Sequence, residues 1–218
     1  MSDVREEMLS RIRAAVGAAA RPREADYATI PRTYRQSASL DRHACVELFA
    51  DRLVHYDAGV YRCGAGEVAA TVGQALAARG RKRLIVPPGL SREWLPRGFE
   101  FLDDDRLSHA QLDAIDGAVT GCRVAIALTG TIVLGHSPAE GRRALTLIPD
   151  YHLCVVETAQ IVETVPEAFR RLSALDPRLL TTISGPSATA DIEMTRIKGV
   201  HGPRTLDVII LDAHHVAG

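Results

Sequence analysis

From Leu40 onward the chain alternates between a helical rhythm of about 3.6 residues and short continuous apolar runs. Residues 40–54 (LDRHACVELFADRLV) and 67–80 (EVAATVGQALAARG) carry the helical rhythm, with the runs GVYRC (59–63) and RLIVP (83–87) following them. Strands separated by helical stretches point to parallel strands joined by crossover helices. Further strands are expected at FEFLDD (99–104), CRVAIALTG (122–130), TIVLG (131–135), LTLIP (145–149), HLCVVE (152–157), TTISG (181–185) and LDVIILDA (206–213). Helices are expected near SHAQLDAIDGAV (108–119) and VPEAFRRLSAL (165–175). The fold class is therefore α/β, a single domain with a largely parallel sheet, without internal repeats.

The first forty residues read differently. Residues 3–16 (DVREEMLSRIRAAV) place Val4, Met8, Leu9, Ile12 and Val16 near helical spacing, with charges between them, which predicts an amphipathic helix. Residues 21–39 hold two prolines and no periodicity, as an extended connector would. The expected organisation is an N-terminal helical arm over 1–39 and an α/β domain over 40–218.

Composition narrows the function classes. With 218 residues and 46% hydrophobic content the chain can bury one sizeable core. Lys and Arg (26) nearly balance Asp and Glu (27), a net charge of -1, so no general pull toward nucleic acid or membrane is expected. No apolar run approaches the roughly 18 residues of a spanning helix, and Met1 to Ala20 lacks a signal-peptide pattern, so the cytoplasm is the expected compartment. Cys45, Cys63, Cys122 and Cys154 are far apart and form no C-x-x-C pair, which predicts buried thiols rather than cluster ligands.

Most motif-like strings carry little chemistry. Gly64-Ala65-Gly66-Glu67-Val68-Ala69 matches G-x-G-x-x-A, but the stretch about 20 residues on, Leu84 to Pro88, lacks the acid that would hold a ribose. G-K-[ST] and G-x-S-x-G are both missing. The eight histidines show no metal-ligand spacing, and His214-His215 would point to opposite sides of a strand. No cofactor and no metal are expected.

Two stretches remain. In Leu128-Thr129-Gly130-Thr131 an apolar run passes through a glycine flanked by hydroxyls, which suits close approach to a carboxylate or phosphate and equally suits a bulge or hairpin turn. In TTISGPSATADIEMTRIKGVHGP (181–203), a strand end leads to Ser184-Gly185-Pro186-Ser187, with Ser187 placed to cap a helix and Asp191 and Glu193 near its start. Such a helix start at the carboxyl end of a strand is where open α/β sheets bind ligands. On a continuing helix Asp191, Thr195 and Lys198 would share a face; the alternation Glu193, Thr195, Ile197 allows an extended tail instead. The ligand-binding candidates are Thr129, Gly130, Thr131, Ser184, Gly185, Ser187, Thr189, Asp191, Glu193, Lys198 and His201, while catalytic residues stay unassigned.

ISGPSATADIEMTRIKGVHGPRTLDVIIL (183–211), TGCRVAIALTGTIVL (120–134) and LIPDYHLCVVETAQIV (147–162) together resemble the LUD-domain family. The resemblance implies a sheet of the type shared by ribose-phosphate isomerases, glucosamine-phosphate deaminases and CoA transferases. It also implies a part in oxidising L-lactate to pyruvate beside two partner proteins that carry iron–sulfur clusters. Leu128 departs from the pattern, since the family often places an acid just before the Thr-Gly. Two classes stay open: a non-redox subunit of lactate oxidation that binds a small anion or a partner, or a stand-alone isomerase- or acyl-transferase-like enzyme. A scaffold whose loops merely cap helices is the plainest alternative.

Overall fold

Six strands, all paired in parallel, form the central sheet in the order β1-β12-β7-β4-β2-β3. They are β1 (Gly59–Gly64), β2 (Arg83–Val86), β3 (Glu100–Asp103), β4 (Gly117–Thr120), β7 (Tyr151–Glu157) and β12 (Thr205–Asp212). The computed structural model describes residues 2–16, 29–174, 179–189, 197–198 and 202–212, which fall into two units, Met1–Tyr34 and Arg35–Gly218. The first holds helix α1 (Ser2–Val16), as its apolar spacing predicts, with an Arg11–Glu7 ion pair one turn apart at 2.8 Å. No helix among the described residues is long and apolar enough to cross a membrane.

The central strands are buried on both faces, which is why they read as continuous apolar runs. Val208 and Ile210 of β12 and Cys154 and Val156 of β7 face helix α2 (Arg42–His55) through Cys45, Phe49 and Leu53. Ile209, Leu211, Leu153 and Val155 face the opposite way, against Val72, Ala75 and Leu76 of α3 (Val68–Ala78). Ile85 and Ala118 pack with Leu112 of the short helix α4 (His109–Asp113).

A second sheet, β8-β5-β6-β9, lies on the α2 side. It comprises β5 (Val124–Ile126), β6 (Thr131–Leu134), β8 (Ile161–Val162) and β9 (Thr181–Ile183); β6 runs antiparallel to both β5 and β9. Its outer face, Val124, Ile126 and Val133, is covered by Ala168 and Leu172 of α5 (Val165–Ser173). The segment before α2 is fastened to this sheet by Glu163, which is almost fully buried. Its carboxylate pairs with Arg35 and accepts the Ser39 N–H at 2.6 Å and the Leu40 N–H at 2.8 Å.

The structure corrects three expectations. LTLIP is a 3-10 turn (Arg143–Thr146) rather than a strand: Leu145 is swallowed by the α4 cluster while Leu147 stays exposed. The helix expected over 108–119 stops at Asp113, and its last residues form β4. No helix starts at Ser187. The Ser187 N–H donates to Pro203 O at 2.8 Å, and β10 (Ala188–Thr189) pairs antiparallel with β11 (Ile197–Lys198).

Candidate functional site

Antiparallel pairing of β6 with β9 sets Ile132 opposite Ile183, so the next residues, Thr131 and Ser184, meet at the end of the ladder. Their hydroxyls are 2.8 Å apart, and Thr129 Oγ1 lies 2.7 Å from Thr131 Oγ1. The Thr129–Thr131 turn and the Ser184 turn, separate in sequence, thus share one hydrogen-bonded chain of hydroxyls. Gly130 takes a left-handed conformation (φ 57°) in the β5–β6 hairpin, and a Cβ there would sit 2.8 Å from Arg52 Cβ. Its close approach is to α2, which a ligand does not need to explain. Leu128 is partly exposed and its N–H donates to Glu163 O at 3.1 Å.

Beyond Ser184 the chain turns through Gly185 (φ 81°) and borders a cavity of about 290 Å³. Ser184, Gly185 and Ser187 line it, together with Arg143, Thr146, His152, Thr182, Gly202, Pro203 and Leu206. Thr129, Gly130 and Thr131 do not. His152 and Leu206 are register partners at the starts of β7 and β12, so the cavity lies at the amino edge of the parallel sheet and not at its carboxyl edge, where a site was expected. Thr189 and Lys198 contribute backbone to the β10–β11 pair; Asp191, Glu193 and His201 lie outside the described residues, as do His214 and His215.

Sequence reasoning missed His152 and Arg143. His152 is 1% exposed, its Nε2 is 2.8 Å from Thr120 Oγ1, and its Nδ1 has no partner among the described residues. Burial, helped by the charge of Arg143, lowers its pKa from 6.5 to about 4, so the imidazole is neutral at pH 7. The Arg143 side chain is exposed and makes no hydrogen bond or ion pair among the described residues. Among the described residues no acid lines the cavity.

The His152 shift has a stability consequence. Its folded-state pKa lies below the unfolded value, so the unfolded chain takes the proton first as the pH falls. The contribution is complete above about pH 6.5 and is lost progressively toward pH 4, with about 3 kcal/mol at stake. Urea unfolding at pH 7 and pH 4.5 is expected to show this loss in the wild type and a flatter dependence in His152→Gln. Equal pH dependence in the two would contradict the assignment.

The carboxyl edge holds a larger cavity, about 620 Å³, beside Gly64. Both of its arginines are already engaged: Arg62 pairs with Glu47 through both carboxylate oxygens, and Arg42 donates to the carbonyls of Thr158 and Ile161. The Gly64 N–H, which a dinucleotide phosphate would use, is taken by Glu67 Oε2 at 3.0 Å.

Comparison with known proteins adds a family. The LUD domain family model matches residues 92–211. The chain is similar to lactate utilization protein C of Deinococcus radiodurans, 43% identical over 213 residues that make up 96% of each chain. It is also similar to lactate utilization protein C of Shouchella clausii, 32% identical over 114 residues, 50% of this chain and 49% of the relative. A crystal structure of a DUF162 family protein from Deinococcus radiodurans shares the fold with a TM-score of 0.70 and 42% identity, covering 79% of this chain and 99% of its own.

Proposed function

We infer the function from the premise that this chain belongs to the LUD-domain family, and propose that it acts in lactate utilisation. The carrying observation is the match to a lactate utilization protein C, 43% identical across 96% of both lengths. Within that role the chain is a subunit without its own redox centre, and it works beside iron–sulfur partner proteins in the oxidation of L-lactate to pyruvate.

The cysteine chemistry supports this division of labour. Cys45, Cys122 and Cys154 belong to the apolar cluster under α2, and Cys63 sits on the other face of the sheet. Hydrogen bonding to Cys154, then burial, pushes the Cys122 thiol well above its ordinary range, and burial raises Cys45 and Cys63. A cluster binds thiolates, which these surroundings disfavour. Among the described residues no three His, Cys, Asp or Glu side chains are placed to hold a metal.

Two measurements test the proposal. Deleting the gene for this chain is expected to abolish growth on L-lactate as sole carbon source and leave growth on pyruvate intact; equal growth on both would overturn it. Protein purified without oxygen is expected to be colourless and free of stoichiometric iron, and tagged protein captured from lactate-grown cells should bring iron–sulfur proteins with it. Finding about four irons per isolated chain would overturn the non-redox assignment.

A further inference from the structure

We propose that the cavity at the amino edge of the sheet binds a small 2-hydroxy or 2-oxo carboxylate, with its carboxylate on Arg143 and its 2-oxygen on His152 Nδ1. The choice of acid rests on the lactate reading above; the chemistry of the site comes from the residues themselves. A buried imidazole nitrogen without a partner is costly, and native structures rarely leave one so unless a water or ligand completes it. His152 Nδ1 is such an atom in a residue that lines the cavity. Arg143, a cation with no partner among the described residues, lines the same space, and none of the described residues that line it is an acid. One guanidinium can take one carboxylate in bidentate fashion.

Size and polarity agree. About 290 Å³ is at the small end of ligand cavities, suited to an acid of a few carbons rather than to a nucleotide. The remaining polar side chains among the described lining residues are neutral hydroxyls, Thr146, Thr182, Ser184 and Ser187, which orient a small polar molecule without adding charge.

The Thr120 hydroxyl gives the site a second property. Thr120 is fully buried, and His152 Nε2 is its side-chain partner at 2.8 Å. A hydroxyl can donate or accept. When it donates to Nε2, the proton of the neutral ring is on Nδ1 and can serve a 2-oxo oxygen. When it accepts from Nε2–H, Nδ1 offers a lone pair to a 2-hydroxyl. One cavity can therefore hold both members of a hydroxy/oxo pair by moving a proton around the buried ring, without a change of charge.

Calorimetric titration of the isolated full chain with L-lactate, pyruvate, propionate and phosphate tests the site. L-Lactate and pyruvate are expected to bind within about tenfold of each other, propionate about tenfold more weakly for want of the 2-oxygen, and phosphate more weakly than either. Arg143→Gln, a change at an exposed position, should weaken both acids by about tenfold or more. Nitrogen NMR of the wild type with labelled histidine should find the His152 proton on Nε2 with lactate and on Nδ1 with pyruvate, a readout that does not depend on any His152 variant folding. Propionate binding as tightly as lactate, unaltered binding by Arg143→Gln, a preference for phosphate, or one tautomer in both complexes would each overturn the proposal. A chain that binds neither acid although its deletion strain fails on lactate loses this site and keeps its role. Binding without a growth defect does the reverse.

Discussion

Arg79→Met is expected to destabilise the fold by about 3–5 kcal/mol, and Asp207→Asn by only about 1–2 kcal/mol. Asp207 is completely buried in β12, with β1 on one side and β7 on the other. Arg79, just past the end of α3, reaches it with Nε at 3.0 Å and Nη2 at 2.7 Å, and Tyr151 donates its hydroxyl at 2.9 Å. Gly59 makes room for the pair, since a Cβ there would lie 2.2 Å from Asp207 Oδ1. Removing the arginine leaves a carboxylate in the core with only a phenol for company, and the desolvation cost then stands uncompensated. Removing the carboxylate charge is milder, because the Arg79 side chain is 39% exposed and can turn to water, and an asparagine oxygen still accepts from Tyr151. Urea unfolding of both variants at pH 7 decides the order, and a larger loss in Asp207→Asn would refute this account.

Strands buried on both faces were plain in the sequence, and so were the helices that connect them. β2, β7 and β12 read as apolar runs because both faces of the sheet are covered there, while β1, at the edge with Arg62 exposed, showed itself by its place between two helical stretches; α2, α3 and α5 kept a helical spacing. β4 did not show itself. Gly117 is small because Tyr151 leans on the strand, so close that a Cβ there would lie 2.6 Å from Tyr151 Cδ1; at this position the strand is selected by its neighbour, not by its own propensity. LTLIP failed for the opposite reason, as an apolar run whose residues serve different surroundings. Nor could hydrophobicity say which sheet a run joins. Val124–Ile126 and Thr131–Leu134 look like central parallel strands, yet the left-handed turn at Gly130 folds them into an antiparallel hairpin of the second sheet.

The site was half legible for a similar reason. Ser184-Gly185-Pro186-Ser187 announces a turn through residue types alone, and three of its four residues were named as candidates. The acids after it suggested a helix start, but the decisive partners are distant: Pro203 O for the Ser187 N–H, and Ile197–Lys198 for Ala188–Thr189. His152 and Thr120 are 32 residues apart, one of them on the strand that was missed. One signal was present all the same. A histidine at the head of an otherwise apolar strand is a polar group that burial must satisfy, which was reason to look for its partner.

Gly185→Ala is expected to cost about 2–5 kcal/mol and to weaken ligand binding in the cavity by about tenfold or more. Gly185 holds φ at 81°, where a side chain is strained, and a Cβ would sit 2.6 Å from Tyr56 Cβ and 3.0 Å from Tyr56 O. The loop cannot be relieved by moving Tyr56, because its N–H closes the end of α2 on the carbonyls of Arg52 and Leu53. The turn itself must therefore move, and it carries Ser184 away from Thr131 and both serines away from His152. Gly66→Ala is the control: a Cβ there meets nothing within 4 Å, and the change should stay within about 0.5 kcal/mol. Thermal unfolding and lactate titration of the two variants separate the possibilities. If Gly185→Ala matched Gly66→Ala in both, the packing of this turn on α2 would not be what shapes the cavity, and the serines would owe their positions to the β6–β9 pairing alone.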